Sequence, residues 1–123
     1  MKVSPRYQRY FNKINRLYFN GSLPEVKVYT ASLLKITQLS QTKASDKKNW
    51  ESAGVYGVAG LDQYGNSCIV IDKGTSIFHT LLSKQTVLHE AIHFYIHPYQ
   101  AHGKRFKDQI RRIAALGALD DLV

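Results

Sequence analysis

An α+β domain of helix–sheet–helix–helix order is the fold class this sequence predicts, and three features predict it. Apolar residues recur at helical spacing near the N-terminus, alternate at strand spacing through the middle, and return to helical spacing over the last third. The 123 residues suit one core, so residues 1–123 are read as a single domain. Apolar residues make up 44% and charged residues 21%, a balance that argues against wholesale disorder.

The elements follow in order. Ser4 and Pro5 offer a cap and a first turn. Tyr7, Tyr10, Phe11, Ile14, Leu17 and Tyr18 then form one apolar helix face, which Asn20-Gly21 can end and Pro24 blocks from continuing. Arg6, Arg9, Lys13 and Arg16 make a basic stripe on the same helix, either a solvated face or a phosphate contact.

Val26 to Thr30 alternates like a half-buried strand. Over residues 32–54 the pattern is weak. Leu33, Ile36 and Leu39 suit a short helix, and Gln41 to Glu51 reads as an exposed polar excursion. Trp50 within it either anchors the loop on the core or stacks on a base or substrate ring.

Val55 to Leu61 and Ser67 to Ile71 are β-prone, and Asp62-Gln63-Tyr64-Gly65-Asn66 between them has hairpin-turn chemistry. A hairpin beside the first strand predicts a small, mainly antiparallel sheet of about three strands. Gly57 and Gly60 mark a bulge or a close backbone approach. After Gly74, Val87, Leu88, Ala91, Ile92, Tyr95 and Ile96 predict a largely buried helix that Pro98 stops. A last helix turns Phe106, Ile110, Ile113 and Ala114 inward and ends at Gly117.

Composition narrows the function classes. No apolar run approaches the roughly twenty residues of a membrane span. The polar start lacks the apolar stretch of a secretion signal. Cys68 is the only cysteine, which excludes an internal disulfide and a cysteine-based zinc knuckle, so a cytoplasmic setting is expected. Lys and Arg number 17 against 9 acidic residues, a net +8 that suits either a polyanionic partner such as nucleic acid or surplus charge for solubility.

The chemistry lies in His89-Glu90-Ala91-Ile92-His93. On a helix, positions i and i+4 share a face with Cβ atoms roughly 5–6 Å apart, so both imidazoles can reach one zinc at about 2.0–2.1 Å. Glu90 points beside the metal rather than at it, where a carboxylate can take a proton from water. Three ionisable groups in an otherwise apolar helix are costly to bury without a partner, which a metal supplies. Zinc then needs a third ligand, with the fourth position left for water. His97 lies about 6 Å beyond His93 along the axis and suits the helix end better. His79 stands upstream, as a loop or supporting residue. His102 follows the proline break, where Tyr99-Gln100-Ala101 let the chain turn back and Gly103 gives backbone freedom. The spacing therefore favours His89, His93 and His102.

Here the chain resembles the SprT-like family. His89-Glu90-Ala91-Ile92-His93 followed by His102-Gly103-Lys104-Arg105-Phe106 is similar to its HExxH…HGxxF pattern, and Tyr18 to Val26 is similar to its opening. The resemblance spans nearly the whole chain. It implies a gluzincin-like fold with a zincin active-site helix, Zn2+ on the three histidines, Glu90 as catalytic base, and action on proteins carried by or crosslinked to DNA. The cysteine zinc ribbon of many relatives is not found here. DNA contact would then fall to the basic helix faces: Arg6, Arg9, Lys13 and Arg16, with Lys104, Arg105, Lys107, Arg111 and Arg112.

A zinc-dependent endopeptidase is thus expected, its peptide substrate added to the strand at Ser67 to Asp72 and its oxyanion steadied by Tyr95, Tyr99 or His97. A zinc-stabilised DNA-binding or adaptor module without proteolysis is the alternative, against which an acid at position 90 argues. A metal-dependent nuclease would prefer more carboxylates than Asp108, Asp120 and Asp121 supply.

Overall fold

The computed structural model describes residues 1–36, 38, 50–53, 56–62, 64–97 and 102–122. Helix α1 spans Pro5–Tyr18 and starts as its sequence requires, with the Ser4 hydroxyl accepting from the Tyr7 amide at 3.4 Å. Tyr7, Tyr10, Phe11, Ile14 and Tyr18 are buried, while Leu17 at the margin of that stripe stays half exposed. The Gln8 side chain pins this helix to the sheet, donating to the Val26 carbonyl at 2.9 Å and accepting from the Val28 amide at 2.8 Å.

Among the described residues the sheet has five strands: β1 (Lys2–Val3), β2 (Lys27–Ala31), β3 (Trp50–Ala53), β4 (Gly57–Leu61) and β5 (Ser67–Asp72), in the order β1-β2-β5-β4-β3. Among these strands β2 and β5 pair in parallel, and β1–β2, β3–β4 and β4–β5 pair antiparallel. The expected hairpin is β4–β5, and its turn is held by the Asp62 carboxylate accepting from the Tyr64 and Asn66 amides. β2, β4 and β5 are the strands expected, and β1 and β3, too short to show a period of their own, extend the sheet at its two ends. Residues 41–49 of the polar excursion, and the Leu39 position before it, lie outside the described residues, as does the Trp50 side chain.

Strand alternation divides the core in two. Val28, Ala59, Ile69 and Ile71 face the helices, while Ala31, Val58, Cys68 and Val70 face Ile36 on the other side. Burial pushes the Cys68 thiol up to about 12.

Asp72 caps helix α2 (Lys73–Phe78), its carboxylate accepting from the Thr75 amide at 2.9 Å and hydroxyl at 2.8 Å. Helix α3 (Thr80–Ile96) then crosses the sheet. Gly57 permits its close approach: a Cβ there would lie 2.7 Å from Thr86 Cγ2 and 3.0 Å from the Val70 carbonyl. Helix α4 (Lys104–Ala115) buries Phe106 and Ile113. Ile110, expected inward, is 37% exposed, because α4 meets α3 at Phe106 and Ile113 and leaves Ile110 on the rim of a groove of about 160 Å³ beside Leu119. Gly117, at φ +98°, turns the chain into a short 3-10 helix, Asp120–Leu122. Tyr18 donates its hydroxyl to Asp121 and clasps that end to α1. Among the described residues no helix is long and apolar enough to cross a membrane.

Candidate metal centre

Helix α3 is buried around much of its circumference, and the buried residues include Ser83, Glu90 and His93 among Val87, Leu88, Ala91, Ile92 and Ile96. One helical turn brings His89 and His93 to the same face, with Nε2 atoms 3.2 Å apart. His102, just before α4, brings its Nε2 to 3.0 Å from that of His93 and 2.9 Å from that of His89.

Three ring nitrogens at such separations pose a pairing problem. In a hydrogen bond one nitrogen donates and the other accepts, and three atoms divided between two roles always leave one like pair. Hydrogen bonds can therefore satisfy at most two sides of the triangle. A cation shared by the three satisfies all of them as acceptors. The corners lie roughly 1.8 Å from the centre of the triangle, less than a Zn–N bond of about 2.0–2.1 Å, so one ion on the axis of the triangle can reach every corner. Among the described residues, His89, His93 and His102 are the group of His, Cys, Asp or Glu side chains that could hold a metal ion. Burial, with the neighbouring His102 adding to it, lowers the pKa of His89 and favours the neutral imidazole that ligation needs.

Glu90 is 2% exposed. It follows His89 by one residue and lies about 60° around the helix from His93, so it adjoins the pair without sharing their line.

Other candidates separate from this cluster. His97 is exposed at the C-terminal cap of α3, one turn past His93. His79 sits at the α2–α3 junction, about 15 Å along the helix from His89, too far to support the site. Tyr95 is directed elsewhere: its ring lies 5.0 Å from Phe19, with the Arg112 guanidinium 5.4 Å above it. Two residues past His93 is more than half a turn around the helix, which removes Tyr95 as an oxyanion donor. Tyr99 lies outside the described residues. Gly103 has φ −85°, outside the left-handed region, so the turn does not need glycine's freedom.

The sheet corrects a further expectation. β5 is interior, its two edges occupied by β2 and β4, and cannot accept a substrate strand. Among the described residues the outermost strand on the β4 side is β3. Sequence reasoning also passed over what Phe106 touches: its ring centroid is 5.0, 4.9 and 4.8 Å from those of His89, His93 and His102. The one sequence signal was its place four residues after His102.

The basic residues differ in how they are engaged. Arg6, Arg9 and Arg16 are exposed on α1. Lys13 pairs with Asp121 at 3.6 Å; Lys104 and Arg111 share Asp108 at 2.6 and 3.7 Å. These partly exposed pairs are weak and leave the cations accessible. Arg112 instead stacks over Phe19 and Tyr95.

No curated protein and no solved structure matches this chain. A family model described as the SprT-like family matches residues 7–121, from the first turn of α1 to the 3-10 helix after α4. With nearly its whole length covered, the chain belongs to the SprT-like family.

Proposed function

We propose that this protein is a zinc-dependent endopeptidase of the SprT-like type, with His89, His93 and His102 as metal ligands and Glu90 as general base. The observation that carries this reading is the triangle of Nε2 atoms, 2.9–3.2 Å on a side, one residue away from a buried glutamate. An all-imidazole set of three protein ligands suits zinc with one position open, whereas structural zinc sites are usually closed by a fourth protein ligand. Among the described residues no fourth donor joins the triangle, which favours the peptidase over a metal-stabilised adaptor.

A zinc ion so held would supply an electrophile for the scissile carbonyl and acidify a water molecule. Glu90 takes the proton from that water as it attacks, then returns a proton to the leaving amine. Its burial keeps bulk water away from the transfer. The substrate backbone adds to β3, the outermost strand on that side among the described residues, by main-chain hydrogen bonds. His97 and Tyr99 remain the candidates for steadying the oxyanion. A cytoplasmic setting agrees with a lone, buried, protonated Cys68 thiol.

The test is metal analysis with a casein or autocleavage assay, wild type against Glu90→Gln. The variant should keep its zinc and lose about 10²–10⁴-fold in turnover. An equally active glutamine variant would remove Glu90 from the chemistry, and a zinc-free wild type would remove the centre itself.

We also propose that DNA or another polyanion is held by the basic helix faces, chiefly Arg6, Arg9 and Arg16 of α1, in keeping with the net charge of +8. Affinity for single-stranded DNA should then fall linearly on a log–log plot against salt, with a shallower slope in the Arg9→Gln/Arg16→Gln variant. Absence of binding at low salt would defeat this proposal.

A further inference from the structure

The contacts of Phe106 have a specific geometry. The three imidazole centroids lie 4.9, 4.8 and 4.8 Å apart, and the Phe106 centroid lies 5.0, 4.9 and 4.8 Å from each in turn. Four points separated almost equally define a near-regular tetrahedron. The phenyl ring therefore stands over the middle of the histidine triangle, on one side of its plane, rather than against a single imidazole. It is 4% exposed, and α4 carries it into the core from the turn just after His102.

A triangle of nitrogens has two faces, and an ion bound to all three could accept further ligands from either. We infer that Phe106 is a positioning residue that closes one of those faces, so that a metal held by His89, His93 and His102 keeps its open coordination position on the other face alone. The inference rests on the three-histidine reading given above. Its physical content is steric and dielectric. The ring fills the volume that a rear water would need, it offers no lone pair to the metal, and it keeps that side dry. Its edge and face contacts with three tilted imidazoles, at interplanar angles of 55°, 40° and 77°, also fix the orientation of each ring. Two ligands from α3 and one from outside it are thus aligned by a single side chain of α4.

Cobalt(II) is the probe, because its visible absorption is strong in four-coordinate centres and weak once a fifth or sixth ligand enters. Wild type loaded with cobalt should show the intense four-coordinate bands. Phe106→Leu and Phe106→Met should lose most of that intensity as water reaches the uncovered face, and zinc affinity by chelator competition should fall about 10–100-fold. The control is Phe11→Leu, at a phenylalanine of α1 that is 1% exposed. Metal-free melting should fall by a similar amount in the Phe106 and Phe11 variants, while the cobalt spectrum changes only in the former. An unchanged spectrum and affinity in both Phe106 variants would overturn the inference and leave the three-histidine centre standing. So would failure of both to fold while Phe11→Leu folds, which would make the ring a structural residue. A wild-type protein that takes up neither metal removes the centre itself, and the inference with it.

Discussion

Helices α1 and α3 pack into the same core, yet their sequences relate to burial in opposite ways. In α1 chemical type predicts position: tyrosine, phenylalanine and isoleucine are inside, and its arginines and Lys13 are outside. Two of its three buried tyrosines have partnered polar tips, Tyr7 donating to the Ser76 carbonyl at 3.0 Å and Tyr18 to Asp121, while the Tyr10 hydroxyl makes no hydrogen bond among the described residues. In α3 type and position disagree. Ser83, Glu90 and His93 are buried at 1%, 2% and 4% exposure within an apolar helix. Burying such groups costs free energy unless a partner compensates. Helix α1 obeys its pattern and builds the fold, whereas in α3 one of the misplaced residues, His93, belongs to the histidine group that could hold a metal ion.

The contrast can be broken by mutation. The larger effect is expected from Ile14→Ala in α1. Ile14 is fully buried, and loss of its side chain should cost about 2–5 kcal/mol in denaturant unfolding. On the proposed reading of the three histidines, the zinc affinity of the folded protein should not change. A variant whose affinity falls along with its stability would show that α1 and the metal centre are one coupled unit.

A smaller effect sharpens the comparison through pH. Helix α1 contains no histidine and no acid, but its tyrosines titrate late. Burial, the hydrogen bond to Asp121 and the negative charges of Asp121 and Asp120 push Tyr18 up to about 12; burial and the Asp121 and Tyr18 charges also raise Tyr10. The unfolded chain releases these protons near pH 10 and the folded chain later, so the unfolded state binds fewer protons across that interval. Stability is therefore present below about pH 10 and is lost as pH rises toward about 12. Thermal melts from pH 8 upward should show this fall, and Tyr18→Phe should make it shallower, with Tyr10, Tyr29 and Cys68, all raised chiefly by burial, keeping a remainder. The same alkaline slope in the variant would place the titrating group outside the clasp between α1 and Asp121.

Much of this was legible in the residues, for reasons that can be named. Ser4-Pro5 and the stripe from Tyr7 to Tyr18 fix α1 because capping and helical period are local. The β4–β5 hairpin was readable from Asp62 and Gly65, whose turn chemistry acts over five residues. His89, Glu90 and His93 were legible because one helical turn sets their spacing. What escaped was non-local. The parallel pairing of β2 with β5 joins segments about forty residues apart, and it placed β5 inside the sheet, against the expectation that a substrate would dock there. Tyr95 could be removed from the site only once Phe19 and Arg112 were seen beside it.

The sequence by itself determined the helices, the hairpin and two histidines with a glutamate on one turn, because hydrogen bonds and periodicity between near neighbours are enough to specify them. Tertiary structure decided which strand is an edge, that His102 closes the triangle at 2.9–3.0 Å, and that Phe106 stands behind it. Those outcomes depend on how α4 and the sheet pack against α3. Packing is the joint result of many weak contacts between distant residues, and no local spacing encodes it.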